Sequence, residues 1–215
     1  MEKVLILGAG PQARIIPDVI ACCGDLELLG FVDMANERHF LEGDAAGFPV
    51  HDKTQFPRGV CTQLGKFSVL IATDQMKLRN TLIGQVKQAA LPLTSIIHPS
   101  GIISRSAQIG KGNLFLPGIV IGPGANIGDH VILNNAVTVD HDTTLQDNII
   151  IAPGVHLAGK VKVNEDTFIG IGACCIPGVT IGSGCLIAAG SVVTGDIPDG
   201  VLAAGVPAKI IRSLL

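Results

Sequence analysis

His141 stands directly before Asp142 in the run Val139-Asp140-His141-Asp142. A carboxylate beside an imidazole orients the ring and stabilises its protonated form. The pair therefore has the make-up of a general base that takes a proton from an amine or a hydroxyl. The competing reading is a solvated corner residue. Five other histidines are present: His39, His51, His98, His130 and His156. No serine or cysteine stands beside a base in an arrangement that marks a nucleophile. Six cysteines occur, two pairs of them adjacent (Cys22–Cys23 and Cys174–Cys175), with no Cys-x-x-Cys. They read as thiols of a reducing compartment, a cytoplasmic one, and not as a disulfide framework or a zinc site.

A second group lies near the start. Gly8-Ala9-Gly10-Pro11-Gln12-Ala13 has the form G-x-G-x-x-A and follows the aliphatic run Lys3–Leu7. Such a loop brings backbone N–H groups and a helix N-terminus close to phosphate. Asp33 ends the next aliphatic run, where a carboxylate accepts hydrogen bonds from a ribose or a base. The plainer alternative is a tight turn in an α/β sheet.

These residues need elements to position them. The first ninety residues read as strands at Lys3–Leu7, Leu28–Val32 and Val69–Ala72, with helices from about Arg14 to Cys23 and over 76–90. In the second helix Leu78, Leu82, Ile83 and Val86 fall on one face. This is a small α/β nucleotide-binding unit, too short for the two halves of a dinucleotide domain, so a mononucleotide handle fits it better than NAD.

From Ile97 the period changes to six. Ile97, Ile103, Ile109, Phe115, Ile121, Ile127, Leu133, Val139, Leu145, Ile151, Leu157, Val163, Ile169, Cys175, Ile181, Ile187 and Val193 make an unbroken apolar series. Four residues after most of them comes a small or β-branched side chain, as at Ala107, Val137, Thr143 and Ala173. Glycine often follows the apolar residue directly, as at Gly110, Gly122, Gly128, Gly170 and Gly182. Neither an α-helix nor a simple strand has this period. A triangular solenoid does: each six-residue unit supplies one short strand and one corner, and three units make a coil. The apolar residues then stack into one interior column, and the glycines are expected to relieve corners that need unusual backbone angles. Gly159 lies eighteen residues after His141, so it should stack on it one coil away.

Composition agrees. Apolar residues make up 47% of the 215-residue chain and charged residues 15%, with 27 glycines and neither Trp nor Tyr. A stacked aliphatic interior suits that mixture. A net charge of −3 without a basic run argues against nucleic acid or an anionic membrane as partner. The opening MEKVLILGAG is too short and too acidic for a signal peptide or a membrane span.

The order of these parts, with LILGAG near the start, FVD at 31–33, ATDQMKLR at 72–79, IHPS at 97–100, VDHD at 139–142, LAGKVKV at 157–163 and a closing GVPAKII at 205–211, resembles the sialic acid O-acetyltransferase NeuD/PglD-like family of hexapeptide-repeat acyltransferases. The resemblance covers essentially the whole chain. It implies a Rossmann-like α/β subdomain over 1–93, a left-handed parallel β-helix over 94–198 and a closing segment over 199–215. It also implies acetyl-CoA as co-substrate, no metal, a homotrimer, and transfer to an amino group of a UDP-, dTDP- or GDP-linked 4-amino sugar. O-acetylation of sialic acid or a related sugar is the alternative, and a non-catalytic nucleotide-sugar-binding scaffold is another. His141 falls at the family's base position with Asp142 beside it, and Asn134 at a polar position that helps to hold the acceptor. Gly159 matches the glycine whose N–H meets the thioester oxygen, with Ile150, Ile171 and Ala189 at other acetyl-CoA positions. Gly10, Pro11, Gln12, Asp33 and Asp74 fall at nucleotide-sugar positions. Two departures stand out: Gln12 and Ile150 occupy places where relatives carry histidine.

Two rivals fit less well. A zinc site like that of γ-type carbonic anhydrases needs a His-x4-His pair, and none exists here. A nicotinamide oxidoreductase would leave the entire repeat without a use.

Overall fold

The computed structural model describes residues 1–37, 47–57, 59 and 64–215. His39 and Cys61 lie outside the described residues. The chain divides into two compact units, Met1–Ile97 and His98–Leu215.

In the first unit, β1 (Glu2–Leu7), β2 (Leu26–Asp33), β3 (Val50–Asp52) and β4 (Ser68–Ile71) form a parallel sheet of order β3-β2-β1-β4. Strand direction of growth reverses at β1, which makes the crevice at the carboxyl ends of β1 and β4 a topological switch point. Between β1 and β2 the chain makes one 3-10 turn (Ala13–Ile15) and then α1 (Ile16–Cys23), with Pro17 in its first turn and the left-handed Gly24 closing it. The helix α2 (Met76–Gln88) follows β4. Leu82 and Val86 of α2 are buried against Leu5, Leu7, Val32, Val69 and Ile71, while Leu78 and Ile83 are partly buried on the same cluster. The short strand β3 went unmarked by the sequence pattern.

The second unit is a parallel β-helix of two-residue strands. Each strand pairs with the one eighteen residues on, as Thr138↔His156 and His156↔Cys174 do, and the strands sort into three parallel sheets. Fourteen successive column residues, Phe115 to Val193, are at most 4% exposed. Each such burial is worth about 1.5–3 kcal/mol, and only stacking of coils makes it possible. Ile103 and Ile109, on the first coil, are only half-buried.

Glycines such as Gly112, Gly154 and Gly178 do take left-handed corners, but at another place in the six-residue unit than expected. Left-handed backbone recurs every sixth residue from Gly112 to Gly190 and includes His130, Ala136, Asp142, Asn148, Lys160 and Asp166. It falls three residues after the column position, not one. The glycines directly after the column have ordinary φ; what they provide is clearance. A Cβ on Gly122 would sit 2.8 Å from His141 N, on the next coil. The C-terminal segment joins the same unit: Val201–Gly205 pairs in parallel with Leu186–Ile187 and antiparallel with Ala208–Ser213.

Candidate active site

His141 occupies the corner between the strand Thr138–Val139 and the strand Thr144–Leu145. Its backbone N–H is held by Asp140 Oδ1 at 2.7 Å. Its Nδ1 lies 2.9 Å from Asp142 Oδ2. Asp142 is the left-handed residue of this corner, with φ 57, and the corner turn brings its carboxylate beside the preceding imidazole. Both side chains are roughly half exposed, 51% and 58%. With Nδ1–H donating to the carboxylate, the lone pair is left on Nε2.

Gly159 stacks on His141. Lys160 N donates to His141 O at 2.9 Å, and the imidazole lies flat against the Gly159 Cα. A Cβ there would fall 2.6 Å from His141 Cε1 and 2.9 Å from Cδ2, and would clash with Nε2 as well. Gly159 is buried under the ring, and among the described residues its N–H has no hydrogen-bond partner.

The other sequence-predicted residues sit in separate places. Asn134 is half-buried and donates its Nδ2 to Ile151 O at 2.8 Å, which leaves Oδ1 for other use. Ile150 is 2% exposed, in register between Ile132 and Phe168 on a different sheet. Ile171 and Ala189 are exposed at another corner, one coil apart, with Gly190 N donating to Ile171 O at 2.8 Å.

Three features escaped the sequence reading. A groove of about 390 Å³ runs along the outer face beside the His141 corner, lined by Thr138, Asp140, His156, Ala158 and Cys174 among others. In it Thr138 Oγ1 and His156 Nδ1 are 2.8 Å apart. The eighteen-residue spacing of Thr138, His156 and Cys174 was a signal that could have found this line. Elsewhere Ser100 Oγ lies 2.7 Å from His98 Nδ1, a serine beside a base after all. That pair is a turn: Ser100 N also donates to Nδ1, and Ser100 Oγ accepts Gly118 N. Among the described residues no cluster of three His, Cys, Asp or Glu is placed to hold a metal ion.

In the first unit Gly10 is buried, Pro11 exposed and Gln12 half-buried. Asp33 is 2% exposed and its Oδ1 accepts the Glu37 N–H at 2.8 Å. Asp74 is exposed. Arg79 of α2 is fully buried and donates Nη1 to Ile71 O and Thr73 O, at 3.3 and 3.2 Å. Burial pushes its guanidinium down to about 10, with the Asp74 carboxylate opposing the shift. Arg79 thereby fixes the loop that leaves β4.

No protein-family model matches the chain. PerB of Caulobacter crescentus, solved with CoA and GDP-perosamine, is 35% identical, and the match covers 99% of this chain and 98% of that one at a TM-score of 0.88. The chain belongs to the hexapeptide-repeat acetyltransferases. The acetyltransferase domain of PglB from Neisseria gonorrhoeae, solved with acetyl coenzyme A, is 33% identical over 98% of this chain and 99% of that one, at a TM-score of 0.86. By sequence, the GDP-perosamine N-acetyltransferase of Escherichia coli O157:H7 is 31% identical over 148 residues, which are 66% of each protein. Curated sugar acetyltransferases of the family are matched over 42% to 72% of their own length.

Proposed function

We propose that this chain transfers the acetyl group of acetyl-CoA to the amino group of a nucleotide-linked amino sugar by direct attack, with His141 as general base. The observation that carries the reading is the His141–Asp142–Gly159 corner: an imidazole with Nδ1 tied to a carboxylate and Nε2 presented above a backbone with an unused N–H. Family membership and the CoA and nucleotide-sugar complexes of its relatives support the same reaction.

In this reading the neutral amine attacks the thioester carbonyl. Nε2 takes the proton released as the C–N bond forms. The Gly159 N–H donates to the oxyanion. When the C–S bond breaks, the proton passes from Nε2 to the leaving CoA sulfur. Asp142 keeps the ring in the tautomer that leaves Nε2 free. Asn134 contributes through Oδ1 to holding the acceptor. Ile171 and Ala189 offer backbone and shape to acetyl-CoA, and Ile150 acts from inside the wall. Gly10, Pro11, Gln12 and Asp74 serve the nucleotide directly, and Asp33 serves it by anchoring the loop after β2.

The finer expectations belong to the same proposal: the NeuD/PglD-like branch, left-handed winding, a homotrimer, and a cytoplasmic enzyme of glycan biosynthesis. No helix among the described residues is long and apolar enough to cross a membrane. The test is a screen of GDP-, UDP- and dTDP-4-amino sugars and free sialic acid with acetyl-CoA, read by mass spectrometry. An acetylated product stable to hydroxylamine is an amide and supports the reading. A hydroxylamine-labile ester on sialic acid, or no product from any acceptor, contradicts it.

A further inference from the structure

The nucleotide crevice holds a carboxylate that the motifs do not mark. In parallel α/β sheets, ligands bind beyond the carboxyl ends of the strands, and here three loops meet there, after β1, β2 and β4. Asp33 ends β2 at the place expected for a ribose-reading acid. It is 2% exposed, and its Oδ1 is engaged by the Glu37 N–H at 2.8 Å. Asp33 therefore anchors the loop after β2 instead of facing a ligand.

That anchoring sets Glu37 in position. A Cβ on Gly10 would lie 2.7 Å from Glu37 Oε2 and 3.3 Å from Cδ, so the Glu37 carboxylate rests against the backbone of the glycine loop. From the other side Gln75 donates Nε2 to Glu37 Oε1 at 2.7 Å. The loop carrying Gln75 is itself pinned, by the Arg79 bonds to Ile71 O and Thr73 O. Glu37 thus spans the mouth of the crevice, held from β2 and β4 and lying over the loop of β1.

A carboxylate in that place repels a phosphate set directly upon it. Its match is a neutral group with hydrogen-bond donors placed next to the phosphate. The two adjacent hydroxyls of a ribose supply such a group, one O–H for each carboxylate oxygen, with the second lone pair of Oε1 keeping the Gln75 bond. We propose that Glu37, positioned by Asp33 and Gln75, accepts the ribose hydroxyls of the nucleotide-linked substrate and selects ribonucleotides over deoxyribonucleotides. The assignment rests on the reading of the first unit as the nucleotide site. Among the candidate acceptors it favours GDP- and UDP-sugars over dTDP-sugars.

The test is calorimetric binding of GDP and UDP, each beside its 2′,3′-dideoxy counterpart, to the full chain and to Glu37→Gln and Glu37→Ala. The wild-type chain should bind the ribonucleotides about tenfold or more tightly than the dideoxy forms, the scale of hydrogen bonds to a charged group. In Glu37→Ala that ratio should fall to about one, with dideoxy affinity unchanged. An unchanged ratio overturns the proposal. So does an equal loss for both sugar types, because Glu37 would then only support the loop. Inosine diphosphate completes the set: if Glu37→Ala erases a preference for GDP over IDP but keeps the ribose preference, the carboxylate reads the base and the ribose assignment is wrong. A wild-type chain that binds no nucleotide at all removes the reading of the first unit, and this proposal with it.

Discussion

Gly159→Ala is the sharpest perturbation the corner offers. The backbone of Gly159 is not left-handed, so alanine suits it locally and the only new element is the methyl group. That methyl would stand 2.6 Å from His141 Cε1 and 2.9 Å from Cδ2, where carbon atoms rest at about 3.5–4.0 Å. The buried backbone of Gly159 is fixed by its coil neighbours, with Gly178 N donating to Gly159 O at 3.0 Å. The half-exposed imidazole must therefore yield, by roughly 1 Å. A displacement of that size at a reacting group costs on the order of a hundredfold in rate. Stability should hardly change, within about 0.5 kcal/mol, because the ring swings into solvent without opening a cavity. The assay is CoA release from acetyl-CoA with the best acceptor, beside a thermal melt. Because the methyl acts through the ring, His141→Ala/Gly159→Ala should be no slower than His141→Ala alone. A Gly159→Ala enzyme with nearly wild-type kcat would refute the stacking account.

Asp142→Asn keeps the shape and the left-handed corner but removes the charge beside Nδ1; kcat should fall about tenfold or more with little change in melting temperature. Ile169→Ala, at a column position with no exposure, should lower unfolding free energy by about 2–5 kcal/mol in denaturant titration, since neighbouring coils cannot collapse into the gap. Burial pushes the Cys175 thiol up to about 12 and also raises Cys185. Raised in this way by burial, both thiols favour the protonated, unreactive form. At pH 8 an alkylating agent should therefore label the exposed Cys22 first, and should reach Cys175 and Cys185 only after denaturation, as resolved by peptide mass spectrometry.

The repeat was legible because its information is local and periodic. Even Phe115 and Cys175, atypical in type, were placed in the column by count alone, and they are 0% and 4% exposed. The pairing of Gly159 with His141 followed from the same eighteen-residue period. Corner conformation was less legible, since the glycines directly after the column marked clearance toward the next coil, while the left-handed places were shared by other glycines and by residues such as Asp142 and His130. In the first unit the strand and helix runs were readable to within about two residues, but loop contacts were not. Glu37 meets Gly10 and Gln75 across three loops far apart in sequence, and no local pattern announces that meeting. Arg79 shows the same limit: nothing in the sequence pattern marks its guanidinium, which is spent on backbone carbonyls inside the unit.

The central claim is that His141 is the base for acetyl transfer to a nucleotide-linked amine. Its most direct test is the turnover of acetyl-CoA and a GDP-linked 4-amino sugar by wild-type and His141→Ala enzyme, with binding of both ligands measured in parallel. The account predicts a fall in kcat of about 10²–10⁴ with both affinities largely retained. A His141→Ala enzyme that acetylates at the wild-type rate would contradict it.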